Sequence, residues 1–102
     1  MRTKWQGIEQ LEKRFGRMSV GMFLQALRES EGLSQSTYSK KLRLSRSNLC
    51  DLEKGRKLIS PERAAKLARK LGVPEKVLVQ LALQDSLHSA NLKYTVELKA
   101  AS

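Results

Sequence analysis

The sequence predicts an all-α protein of five helices in one small domain, with an extra N-terminal helix before it and a short C-terminal β-strand after it. Three observations carry that expectation. Apolar residues recur at spacings of three and four through most of the chain. Serine, glycine and proline stand where helices would start and stop. Only the closing residues change to a strict alternation of apolar and polar side chains. The resulting boundaries are an N-terminal extension over residues 1–18, a domain over 19–88 and a tail over 89–102.

Taken in order, Trp5, Ile8, Leu11 and Phe15 mark an N-terminal amphipathic helix, weakened by Gly7 and ended by Gly16. They read as packing residues, and Arg2 and Lys4 as part of a frayed terminus. Ser19 can cap the first helix of the domain, whose stripe is Val20, Phe23, Leu24 and Leu27, and Gly32 can stop it. Ser34 caps a second helix, "QSTYSKKL", with Tyr38 and Leu42 one turn apart on its inner side. Ser45 caps a third, "RSNLCDLEK", which Gly55 ends. Ser60-Pro61 opens a fourth, because serine suits the cap and proline the first helical position; its stripe is Ala64, Leu67, Ala68 and Leu71, closed by Gly72. Pro74 starts the fifth, with Val77, Leu78, Leu81 and Leu87. In "NLKYTVELKAAS", Leu92, Tyr94, Val96 and Leu98 alternate with Lys93, Thr95, Glu97 and Lys99, the pattern of a half-buried strand. A lone strand has nowhere to place its hydrogen bonds, so these four apolar residues are expected to meet a second copy of the chain or a partner.

With 102 residues, 40% of them hydrophobic and 29% charged, the chain has the composition of a soluble globular domain. No apolar run approaches the ~20 residues that cross a bilayer, and the N-terminus has no apolar core of the signal-peptide kind. The one cysteine, Cys50, cannot form an intrachain disulfide, which fits a reducing compartment. A cytoplasmic protein is expected. No cysteine or histidine neighbours Cys50 to make a metal site, and His88 has no partner in the sequence. Glu29, Glu31, Glu62 and Asp85 are scattered, with no nucleophile–base pair and no glycine-rich phosphate loop. Neither an enzyme nor a cofactor is expected.

Charge is the strongest global signal. There are 20 Lys and Arg against 10 Asp and Glu, a net of +10. Residues 34–72 alone hold eleven basic and three acidic side chains, while residues 73–102 balance at zero. A basic excess gathered in one segment points to nucleic acid before membrane surfaces or acidic proteins.

That segment contains two short helices joined by a tight turn, the second capped by Ser45. This is a helix-turn-helix pattern, in which the first helix crosses the DNA backbone and the second puts its N-terminal turn into the major groove. Small polar and basic residues are needed at that front turn, and an apolar side must hold the helix to its scaffold. Leu49 and Leu52 do the holding; Ser47, Cys50, Asp51 and Lys54 form the outward face, with Arg46 at its leading end.

On "LRESEGLSQSTYSKKLRLSRSNLCDLEKGRK" followed by "SPERAAKLARKLGVP", residues 19–83 resemble the phage repressor and Cro-type (XRE-like) helix-turn-helix domains. The most specific elements are "GLSQ", "LSRSN", "LEKGRK" and "LARKLGVP" in that order. The resemblance implies a five-helix repressor-like DNA-binding fold. It also implies that Gln35 bonds a phosphate, that Arg46 and Ser47 read bases, and that Asp51 is a third reading position. Ser45, Asn48, Lys54, Arg56 and Lys57 look like backbone contacts that set register. Arg46 suits guanine O6 and N7; Asp51 suits a cytosine amino group, or orients Arg46, or pairs with Lys54. One departure stands out: the family often has glycine where this chain has Arg43. Glycine suits a positive φ, and arginine there costs about 1 kcal/mol unless the turn takes another shape. Arg43 is then an additional phosphate contact.

The function expected is a sequence-specific transcriptional regulator, a repressor that binds a palindromic DNA operator as a homodimer. A small chain with this domain and such a tail also resembles antitoxins that bind a toxin and repress their own operon. The alternatives are a stand-alone phage-type repressor without a toxin partner and a basic adaptor that binds RNA or protein.

Overall fold

A computed structural model describes residues 17–101, and among them five helices: α1 (Val20–Ser30), α2 (Gln35–Leu42), α3 (Arg46–Glu53), α4 (Pro61–Leu71) and α5 (Glu75–Ser89). The expected N-terminal helix lies outside the described residues. The chain divides into two compact units, one ending at Lys57 and the other starting at Leu58.

The first unit holds α1, α2 and α3. Each starts at a serine in extended conformation whose hydroxyl accepts from the backbone N–H three residues on. Ser19 takes Met22 N–H at 3.1 Å, Ser34 takes Thr37 N–H at 3.1 Å and Ser45 takes Asn48 N–H at 3.0 Å. Such a cap satisfies one of the four donors a helix start leaves unpaired and is worth ~1 kcal/mol. Val20, Phe23, Leu24 and Leu27 of α1, Tyr38 and Leu42 of α2, and Leu49 and Leu52 of α3 are buried, as their spacing requires. Gly21, a poor helix former, stands where α1 passes α3. A Cβ at that position would collide with the Leu52 carbonyl oxygen and come within 2.7 Å of the Glu53 carbonyl oxygen. The missing side chain is what lets the two backbones approach.

All five helices close the same way. The residue after the left-handed position donates its N–H to the carbonyl five residues back: Leu33 to Arg28 at 3.2 Å, Leu44 to Ser39 at 2.9 Å, Arg56 to Asp51 at 2.9 Å, Val73 to Ala68 at 3.0 Å and Leu92 to Leu87 at 2.9 Å. The left-handed residue is glycine at three of these ends, Asn91 at α5 and Arg43 at α2. The turn between α2 and α3 therefore keeps the usual shape: Arg43 adopts φ 57° and ψ 42°. The alternative turn that would have spared arginine its strain is not taken.

The second unit pairs α4 with α5. Ser60 caps α4 through Arg63 N–H at 3.2 Å, with Pro61 at the first helical position. Ile59, Ala64, Leu67, Ala68, Val73, Leu78, Leu81 and Ala82 are buried. Arg69 and Glu75 form an exposed ion pair of 3.0 Å across the intervening turn.

The tail corrects the sequence expectation: among the described residues there is no β-strand, and residues 90–101 have no regular secondary structure. Alternation shows that a segment could pair, not that a ladder partner exists. Here a side chain takes the partner's place. The Gln84 amide donates to the Tyr94 carbonyl at 2.8 Å and accepts from Val96 N–H at 2.8 Å, holding the tail on α5. The alternating residues do not share one buried face either: Val96 and Leu98 are half-buried, whereas Leu92 is 47% and Tyr94 69% exposed.

Candidate nucleic-acid interface

Leu49 and Leu52 are buried and fix which side of α3 faces its own unit. Turning by about 100° per residue, the opposite side runs along Ser47 and Lys54, with Cys50 and Asp51 to either side of that line. Arg46 and Ser47, at the front of α3, are exposed, and neither side chain has a hydrogen bond to another described residue. Ser45 spends its acceptor on the cap but keeps its hydroxyl proton for an outside oxygen. Arg43 and Lys54 are exposed at the two ends of the helix.

Two cations from the loop after α3 are laid back along it. Arg56 Nε donates to Asp51 Oδ1 at 3.0 Å, and its Nη2 lies 3.6 Å from Cys50 Sγ. The bond to Asp51 raises the already high pKa of the guanidinium. Lys57 Nζ donates to Asn48 Oδ1 at 2.8 Å. Asp51 thus pairs with neither Arg46 nor Lys54, the partners its spacing suggested, but with a residue five positions on. The left-handed Gly55 and the Arg56-to-Asp51 backbone bond reverse the chain so that this reach is short.

The position of α3 relative to α2 rests on a carboxylate that sequence reasoning passed over. Glu53, buried at the last turn of α3, accepts from Arg28 Nε at 2.8 Å, Arg28 Nη2 at 3.1 Å and Gln35 Nε2 at 3.0 Å. Arg28 Nη1 also donates to the Leu33 carbonyl at 2.9 Å. The Arg28 guanidinium is held charged, its pKa raised chiefly by the bond to Glu53. One buried anion therefore ties α1, the first residue of α2 and the end of α3 together. Gln35 spends one amide hydrogen on Glu53 and keeps a second, at the first turn of α2. A signal for Glu53 was present: it follows Leu49 by one helical turn, at the edge of the apolar side.

Lys41 pairs with Glu31 at 3.0 Å and lies 5.7 Å from the centre of the Tyr38 ring. Burial, then the nearby Glu31 charge, pushes the Tyr38 hydroxyl up to about 12. Leu92, Tyr94, Val96 and Leu98, expected at an interface with a second chain, are in the second unit, apart from α3 in the sequence and tied to α5 through Gln84. Among the described residues no group of His, Cys, Asp or Glu is placed to hold a metal ion, and no helix is long and apolar enough to cross a membrane.

A family model described as a helix-turn-helix domain matches residues 19–81, more than half of the chain. No curated protein and no solved structure matches significantly.

Proposed function

Because the chain belongs to the helix-turn-helix domain family, whose members bind DNA and regulate transcription, we propose that it is a repressor that binds a palindromic operator as a homodimer. The observation that carries this reading is the front of α3. Arg46 and Ser47 stand exposed on a capped helix start, with Arg43, Lys54, Arg56 and Lys57 around it. Arg46 and Ser47 read base edges, and the position of Asp51 supplies a third reading point. Gln35, Arg43, Ser45, Asn48, Lys54 and Lys57 set register on the phosphates, with Arg56 beside them. If six to eight phosphates are neutralised, log affinity falls against log salt with a slope near −0.9 for each.

Two copies with their α3 helices ~34 Å apart would enter successive major grooves on one face of the duplex. Exposed Leu92 and Tyr94, with Val96 and Leu98, are the apolar side chains offered to the second copy. A toxin at the same tail is the antitoxin variant of this reading. Co-purification with a small toxin from its own operon would favour that variant over the stand-alone repressor.

The test is selection of bound duplexes from a random pool at near-physiological salt. A two-fold symmetric consensus with regular half-site spacing is expected. Recovery of unrelated sequences would leave only the adaptor reading standing. Sedimentation of the chain with Leu92→Ser and Tyr94→Ser checks the second copy: the expected result is a shift from dimer to monomer.

A further inference from the structure

We propose that Arg56, held by Asp51 across the outward face of α3, reads a guanine in each half-site, and that Asp51 is its positioning residue rather than a reader itself. This rests on the reading above that α3 enters the major groove. It moves Arg56 from the phosphate contacts to the bases.

The placement follows from which side chains the guanidinium touches. Cys50 and Asp51 lie on opposite sides of the outward line through Ser47 and Lys54, roughly 60° and 40° from it on an ideal helix. A guanidinium bonded to Asp51 Oδ1 at 3.0 Å and 3.6 Å from Cys50 Sγ lies across that line, not at the edge of the helix. Lys57, from the same loop, makes the contrast. Its partner Asn48 is about 100° away from Ser47, so Lys57 is carried to the flank, where phosphates pass.

The donors also fit. Arginine has five N–H groups in a planar fork. Nε is spent on Asp51 and one Nη2 hydrogen is directed to Cys50. Both Nη1 hydrogens and the second Nη2 hydrogen remain, and parallel donors from the two terminal nitrogens match guanine O6 and N7. Two anchors hold the group in advance, the side-chain pair and the Arg56-to-Asp51 backbone bond of 2.9 Å. Little rotamer freedom is then lost on binding. The pairing also accounts for an acidic residue on a DNA-facing surface: alone, Asp51 would be repelled by phosphates, whereas neutralised by Arg56 it orients a cation.

The experiment uses the full chain, the duplex recovered from the random pool, and derivatives in which each base pair of one half-site is replaced in turn. Affinities are read by fluorescence anisotropy for the wild type, Arg56→Lys, Arg56→Gln and Asp51→Asn, with circular dichroism to confirm folding. The wild type is expected to lose ~10-fold or more when one particular G·C pair is replaced. Arg56→Lys, which keeps the charge but not the fork, abolishes discrimination at that pair with the salt slope unchanged. Arg56→Gln abolishes it as well, and Asp51→Asn weakens it at the same pair and no other. The proposal is overturned if Arg56→Lys leaves every preference intact, or if Arg56→Gln weakens all duplexes alike while lowering the salt slope by about one, the mark of a phosphate contact. It is equally overturned if Asp51→Asn alters a different base pair, since Asp51 would then be reading on its own. In these cases discrimination at the pairs read by Arg46 and Ser47 survives, and the function proposed above stands. A wild type that discriminates among no duplexes overturns both.

Discussion

Residues 17–57 and residues 58–101 are both helical and both bury apolar side chains, yet the first adds a buried carboxylate to that core. Among the described residues the buried polar side chains, Ser39 and Glu53, both lie in the first segment. There three short helices meet at an anion that bonds Arg28 and Gln35. In the second segment α4 and α5 bury alanine and leucine, and Ile59 and Val73, outside the two helices, are buried as well. Apolar burial is non-directional and tolerates small rotations of a helix, while a bidentate Arg–carboxylate pair fixes register. A surface that must match the spacing of phosphates and base edges needs the second property. The contrast teaches where this chain invests in orientation and where only in cohesion.

The sharpest way to break that contrast is Glu53→Ala. It leaves the half-buried Arg28 without its counter-charge and Gln35 without its acceptor, and is predicted to cost ~1.5–3 kcal/mol, read as a lower urea midpoint by circular dichroism. A loss no larger than that of a surface substitution would mean that apolar contacts alone hold the first segment.

Alkali offers a second test. Tyr38 has a folded-state pKa raised from 10.0 to about 12. Its contribution is fully present below pH ~10 and lost as pH rises from there through about 12, because the buried site disfavours the phenolate. Melting temperature should therefore fall more steeply over that window in the wild type than in Tyr38→Phe, which has no proton to lose.

A smaller effect, of opposite sign, is expected at the turn. Arg43→Gly relieves the left-handed strain and should raise stability by ~1 kcal/mol, or a few degrees in melting temperature. If Arg43 contacts a phosphate, the same variant flattens the salt slope by about one. Stability gained against affinity lost would explain why arginine stands at a glycine position.

The smallest change is local to the second segment. Gln84→Ala removes two hydrogen bonds at the surface, one exposed and one half-buried, together worth under about 1 kcal/mol. It should speed amide exchange at Val96 without altering residues 17–57.

How much of this was legible depended on range. Helix starts and stops were readable at Ser19, Ser34, Ser45, Ser60 and Gly72, since a cap is a bond between residues three to five positions apart. The Arg28–Glu53 pair was not, because it joins residues 25 positions apart and each charge alone looks like a surface residue. The tail misled for a related reason: its alternation is real, but the hydrogen bonds it needs come from Gln84, ten and twelve residues away. In the turn before α3, Arg43 was singled out as anomalous, yet only the backbone reveals that it bears the strain. The partner of Asp51 was misjudged because helical spacing brings Arg46 and Lys54 to mind but not a loop residue folded back by Gly55.

The most direct test of the central claim, that the front of α3 reads DNA sequence, is one ratio: the affinity for the selected duplex divided by that for a scrambled duplex of equal length and composition. It is measured at one salt concentration for the wild type and for the chain with Arg46→Ala and Ser47→Ala together. The ratio is expected to collapse toward one in the double variant, with affinity for the scrambled duplex largely retained through the surrounding cations. An unchanged ratio would contradict the account.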